Sequence, residues 1–144
     1  MTNYKAEGYN NVTVQVTADG ANDVIAFLEK VFGTTVRTRM DIPGGKVGHA
    51  ELVLGDSVIM VADADERKVK TSAALHVYVE DCDATIDRAL AAGATLEEAP
   101  ETHFYGDRSG CISDRWGNRW YIATHVEDVS EEEMRKRMAE LATA

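Results

Sequence analysis

One order of elements is written twice in this chain, and that repeat limits the fold more than anything else in it. Val12 to Ala18 alternate, with Val12, Val14, Val16 and Ala18 on one face and Thr13, Gln15 and Thr17 on the other, the period of a half-buried strand. A helix is expected from Asp23 to Phe32, with Asn22 as its cap, an apolar stripe of Val24, Ile25, Phe27, Leu28, Val31 and Phe32, and Gly33 as its stop. Thr34 to Met40 is a strand by composition, Pro43-Gly44-Gly45 is a turn, and Gly48 to Met60 is a hairpin about Gly55-Asp56. After a charged linker, Ala64 to Ser72, the order begins again. Ala74 to Glu80 alternate with Leu75, Val77 and Val79 toward a core and His76 and Tyr78 opposite, and Asp81-Cys82-Asp83 leads into a helix from Ala84 to Ala92, stopped by Gly93. A short strand Ala94 to Glu98, a loop through Pro100 and Tyr105 to Arg108, and a second hairpin from Ser109 to Thr124 around Asp114 to Asn118 complete it.

A period of about sixty residues is too long for a solenoid and calls for two paired modules. The expected fold is α+β: two paired βαβββ modules forming a curved mixed sheet around a cavity, plus a C-terminal helix. Module one covers about residues 10–63 and module two about 73–126, within one domain of 144 residues. Ser130-Glu131-Glu132-Glu133 is a capping-box pattern, and the helix it opens, over about 130–142, carries Met134, Met138 and Leu141 along one side. That side is expected to pack on the domain or on a second subunit.

The first hairpin locates the candidate site. With Gly55-Asp56 as the loop, Leu54 faces Ser57, Glu51 faces Met60 and His49 faces Ala62. His49, Glu51, Val53, Val58, Met60 and Ala62 then share one face, while Ala50, Leu52, Leu54, Ile59 and Val61 form a wholly apolar face that needs a helix over it. The first face carries an imidazole and a carboxylate two residues apart.

Charge excludes some partners. Against 15 Lys+Arg stand 25 Asp+Glu, a formal charge of -10, which repels phosphate backbones and anionic membranes. Cys82 and Cys111 have no C-x-x-C spacing, the N-terminus lacks a signal-peptide pattern, and no apolar run reaches membrane-spanning length. A cytoplasmic, soluble protein is expected.

Ala26-Phe27-Leu28-Glu29-Lys30-Val31-Phe32-Gly33 and Asp114-Arg115-Trp116-Gly117-Asn118-Arg119-Trp120, set in two such modules, resemble the vicinal oxygen chelate superfamily of glyoxalase I, bleomycin-resistance proteins and extradiol dioxygenases. His49 to Leu52, Gly55 to Met60, Tyr105 to Gly110 and Ile122 to Val129 look like its PhnB-like subgroup. The resemblance implies that each module curls its sheet into half of a cup with helices outside, leaving Tyr121 and Ala123 on the cup side and Trp120 and Ile122 on the helix side. Metal-binding members take one ligand from the first and one from the last strand of each module. Here those places hold Thr13, Met60, Ala74 and Tyr121, none of them a good ligand for a divalent ion.

Two classes of function stay open. One is a metal-free binding protein for a small aromatic or amphipathic molecule, with Gln15, His49, Glu51, Met60, His76, Tyr78, Arg108 and Tyr121 lining the site and no cofactor. The other is a lyase or isomerase using a divalent metal ion on His49, Glu51 and His76, with His76 and Glu51 also candidates for acid–base catalysis. The same residues can instead make structural polar contacts in a cavity wall. Arg108 either binds an anionic or carbonyl group of a ligand or pairs with Asp107 or Asp114. Trp116 and Trp120 read as packing, and His103 and His125 as exposed side chains without a role. A homodimer is expected, because a half-cup of sheet exposes edges and apolar surface.

Overall fold

Burial of the apolar hairpin face organises the first half of the molecule. The computed structural model describes residues 2–143, and the chain divides into two units, Met1–Ala73 and Ala74–Ala144. The first unit contains β1 (Gln15–Ala18), α1 (Ala21–Phe32), β2 (Thr35–Ile42), β3 (Lys46–Leu54) and β4 (Ser57–Asp63). Its sheet has the order β1-β4-β3-β2, with β1 parallel to β4 and the other pairs antiparallel. The hairpin keeps the register its two-residue turn dictates, Leu54 opposite Ser57 and Glu51 opposite Met60. Ala50, Leu52, Ile59 and Val61 are buried, as are Val24, Leu28 and Val31 of the helix that packs on β3 and β4. Each large side chain so removed from water stabilises the unit by roughly 1.5–3 kcal/mol. Leu54, nearest the turn, is only half-buried.

Two local expectations fail for long-range reasons. The first strand begins at Gln15 rather than Val12, because β4 faces it only from Met60 onward, and Val12 is 88% exposed. Asn22 does not cap α1. Gly20 takes that position with a φ of 85°, and the carboxylate of Asp63 accepts its N–H and that of Ala21, both at 3.0 Å. Asn22 instead donates to the carbonyl of Gly45 at 3.1 Å. The C-terminal stop is as expected: Gly33, at φ 68°, donates its N–H to the carbonyl of Glu29 at 3.0 Å.

The second unit repeats the order with β5 (Ala74–Tyr78), α2 (Cys82–Ala91), β6 (Thr95–Thr102), β7 (Asp107–Ser113) and β8 (Arg119–His125), then α3 (Glu131–Ala142). Its sheet runs β5-β8-β7-β6 with β5 parallel to β8. Together the units give the α+β class and the paired βαβββ modules that the repeat calls for. Here the cap is local: Asp81 accepts the N–H of Ala84 at 3.0 Å. Ile86, Ala89, Ile112, Trp120 and Ile122 form the core under α2. Trp120 can be fully buried because its indole N–H reaches Asp114 Oδ2 at 2.9 Å.

Where a loop was expected at Pro100, β6 continues. It is an edge strand, and its pairing with β7 shifts between Glu98 and Glu101, so the proline falls where no ladder N–H is needed. Ser130 caps α3, accepting the N–H of Glu133 at 3.1 Å. The stripe on α3 is not covered within its own unit, since Met138 and Leu141 are 55% and 59% exposed. The helix is held instead by Arg137, which donates to the carbonyl of Phe104 at 2.9 Å and pairs with Glu127 and Glu133. Among the described residues no helix is long and apolar enough to cross a membrane.

Candidate functional site

Each sheet has one face under a helix and one without, and strand alternation sends the polar candidates to the helix-free face. In the first unit Gln15, Met60, Glu51 and Thr38 form one row across all four strands. The pairing slips between Val36 and Thr38, so Arg37 is an extra residue opposite Glu51, and its guanidinium reaches over that face. Arg37 Nε lies 2.9 Å from Glu51 Oε1, and His49 Nε2 lies 2.8 Å from Glu51 Oε2. An ionised carboxylate only accepts, so the His49 proton sits on Nε2. The hydrogen bond from His49 is the largest influence holding the Glu51 carboxyl below its usual range; burial opposes it, and Tyr9 and Arg37 add to it. The Tyr9 phenol is pushed up, first by burial and then by Glu51, and the Arg37 guanidinium lies 5.0 Å from the centre of its ring.

In the second unit His76 faces Tyr121, and Tyr121 faces Cys111; one step along, Tyr78 faces Ala123 and Ala123 faces Ser109. Asp107 is the polar centre and is buried. The Tyr78 hydroxyl donates to its Oδ2 at 2.7 Å, His125 Nδ1 lies 2.8 Å from its Oδ1, and His125 Nε2 lies 2.7 Å from Asp128 Oδ1. Burial pushes the Asp107 carboxyl up, but the hydrogen bonds of His125 and Tyr78 outweigh it and hold the group below its usual range. In return Asp107, then Asp128, raises the His125 imidazole, and Asp107 raises the Tyr78 phenol. The rings of His76 and Tyr78 stand 5.0 Å apart.

Sequence reasoning missed Arg37 and Tyr9 beside Glu51 in the first unit, and His125 and Asp107 in the second. His125 is exposed as expected, yet partnered at both nitrogens. The signal was its place opposite Asp107 across the second hairpin, which becomes visible only once that register is fixed. Arg108 lies apart from the other candidates. It alternates with Asp107 to the α2 side, where it clasps Asp83 through Nε at 2.7 Å and Nη2 at 2.9 Å. The expected ion-pair partners, Asp107 and Asp114, are otherwise committed, Asp114 to the backbone of Trp116 and the side chains of Asn118 and Trp120. Trp116 is half-buried, with the Arg115 guanidinium 5.0 Å from its ring.

Among the described residues no divalent-ion site is preassembled. Of the set His49, Glu51 and His76, the first two are bonded to each other, and the second oxygen of Glu51 is held by Arg37. Among the described residues no three His, Cys, Asp or Glu side chains come together as an ion requires. Thr13, Met60, Ala74 and Tyr121 offer a hydroxyl, a thioether, a methyl and a phenol.

Residues 11–122 match the family described as the Glyoxalase/Bleomycin resistance protein/Dioxygenase superfamily. The uncharacterized protein Mb0911c of Mycobacterium bovis is 31% identical over 135 residues, covering 86% of this chain and 89% of that protein. TioX from Micromonospora sp. ML1 has a similar fold, with a TM-score of 0.69 at 24% identity over 81% of this chain and 99% of its own. So has the genomically encoded fosfomycin resistance protein FosX of Listeria monocytogenes, with a TM-score of 0.62 at 16% identity over 87% of this chain and 97% of its own. At these identities the likeness to the two structures is one of fold.

Proposed function

The chain belongs to the glyoxalase/bleomycin resistance protein/dioxygenase superfamily, and from that membership we propose that it binds a small aromatic or amphipathic molecule on the helix-free side of its sheets, without a resident metal ion. The state of the two central carboxylates carries the reading. Glu51 and Asp107 are each engaged at both oxygens by side chains of their own unit, which supports a polar binding wall over a cation site. On the helix-free face of the first unit Met60 offers apolar contact, with Gln15 and His49 as orienting polar groups. On that of the second Tyr78 and Tyr121 offer aromatic contact, with His76 as the polar group. Arg108, turned toward α2, is left out of this set.

The stretches His49 to Leu52, Gly55 to Met60 and Tyr105 to Gly110 support placing the chain in the PhnB-like subgroup. The exposed edge strand β2 and the uncovered Met138 and Leu141 support a homodimer. The two buried, unbridged cysteines suit a reducing cytoplasm.

The test is elemental analysis of protein purified without a histidine tag, joined to thermal shift against a panel of aromatic compounds and divalent ions. At 100 times its dissociation constant a true ligand stabilises by about 2.7 kcal/mol, a clear rise in melting temperature, whereas the ions are expected to add little. Near-stoichiometric metal that disappears in His49→Ala or His76→Ala overturns the proposal in favour of a metal-dependent lyase or isomerase.

A further inference from the structure

The segment ahead of β1 forms no regular element, yet three of its residues wrap one guanidinium. Arg37 Nη2 donates to the carbonyl of Glu7 at 2.9 Å. Gly8, at φ 82°, brings the backbone so close that a Cβ there would overlap Arg37 Nη1. The Tyr9 ring then lies with its centre 5.0 Å from Arg37 Cζ, while Arg37 Nε holds Glu51 at 2.9 Å. The Tyr9 hydroxyl bears on the same Glu51 carboxylate, whose other oxygen meets His49. A phenol is therefore already seated on this face of the sheet, its ring against the cation that holds Glu51, while burial and then the Glu51 carboxylate raise the phenol pKa. Tyr4 and Val12, on either side of the seated residues, are 89% and 88% exposed, so they contribute little to fastening the segment down.

We infer that the Glu51 centre is a binding site for a phenolic hydroxyl, and that Tyr9 of the chain's own N-terminal arm is its resident, displaceable occupant. The inference rests on the reading of this face as a ligand site and names the ligand class. A hydroxyl on an aromatic ring satisfies Glu51 as a donor while the ring lies against Arg37, as cation–π attraction favours. An aromatic carboxylate would meet Glu51 as a like charge. The arm competes with any such ligand as a tethered group at an effective concentration on the order of millimolar, so the intact protein binds a free phenol more weakly than the bare site does.

The probe is 4-methylphenol, the tyrosine side chain without its backbone, titrated calorimetrically into the full chain, Tyr9→Ala, and Tyr9→Ala combined with Glu51→Gln. Tyr9→Ala is expected to bind at least about tenfold more tightly than the unaltered chain, and the added Glu51→Gln to remove that gain. Toluene, which lacks the hydroxyl, is expected to show no gain. In the unaltered chain, saturating 4-methylphenol is expected to speed hydrogen exchange at residues 7–11, a readout that needs no variant to fold. Equal affinity in the chain with and without Tyr9, or a gain that survives Glu51→Gln, overturns the inference. If panel aromatics bind the unaltered chain and Tyr9→Ala alike, the inference falls and the small-molecule reading stands. If no compound, 4-methylphenol included, binds any of the three proteins, both fall.

Discussion

Asp63, the last residue of β4, accepts the N–H of Ala21 at 3.0 Å, so the first helix is capped by a side chain 42 residues further along the chain. The same carboxylate takes the N–H of Gly20 at 3.0 Å and that of Val47 at 2.7 Å. Asp63→Ala strands these donors and is expected to lose on the order of 3 kcal/mol in chemical denaturation, more than an ordinary cap. Burial pushes the Asp63 carboxyl up, but the three backbone N–H groups outweigh it and its folded pKa is depressed. A depressed carboxylate stabilises fully above its unfolded pKa and stops doing so as pH falls through the folded value. The stability gap between the unaltered chain and Asp63→Ala is therefore expected to hold at neutral pH and shrink below the ordinary carboxylate range. A gap that grows on acidification would contradict the cap.

Ile59 and Glu51 stand on opposite faces of neighbouring strands, and their truncations separate the two faces. Ile59→Ala, in the core under α1, is expected to lose about 2–4 kcal/mol. Glu51→Ala and His76→Ala are expected to fold normally, with losses well below that. Similar melting losses in all three would mean that the face assignment fails in solution.

His125 reports on its network directly. Hydrogen bonds to Asp107 and then Asp128 raise its imidazole pKa, so its contribution to stability is complete below the ordinary histidine value and is lost as pH rises through the folded one. In an NMR titration the ring is expected to titrate above an unperturbed histidine, and Asp107→Asn to bring it back further than Asp128→Asn. A His125 that titrates normally in the unaltered chain shows the network is not formed.

Arg108→Ala is expected to leave ligand affinity unchanged while raising hydrogen exchange in the first turn of α2, where its partner Asp83 sits. Tyr121→Ala is expected to do the reverse. Loss of binding in Arg108→Ala would return that guanidinium to the site.

Sedimentation at micromolar concentration is expected to give a dimer, and Met138→Glu with Leu141→Glu to shift it toward monomer, since charge on that stripe of α3 penalises its burial. A clean monomer in the unaltered chain counts against self-association.

What the sequence made legible was whatever depends on near neighbours. The two-residue turn at Gly55-Asp56 fixed the register of β3 on β4, and with it the faces of Leu52, Ile59, His49 and Glu51. The second hairpin turns through the longer stretch 114–118, which fixes no register by inspection, and so the meeting of Asp107 with His125 stayed hidden. Alternation did carry one unused signal: Arg108 has the same parity as Ile112, a core residue, and hence points toward α2. The Asp63 cap and the extra residue at Arg37 depend on partners distant in the chain, which neither helix propensity nor strand periodicity encodes.

Pro100 bears on how this protein behaves when it fails. Open sheet edges are where misfolded chains recruit one another, and β6 is poorly suited to that: a residue without an N–H, a break in register, and the like charges of Glu97, Glu98 and Glu101 all discourage a foreign strand. The other long edge, β2, has no proline, and between its two register shifts Thr38, Arg39 and Met40 keep an uninterrupted pairing pattern, with Met40 63% exposed. Aggregation of heated or destabilised protein should therefore seed at β2, and a proline there is where a formulation chemist would begin.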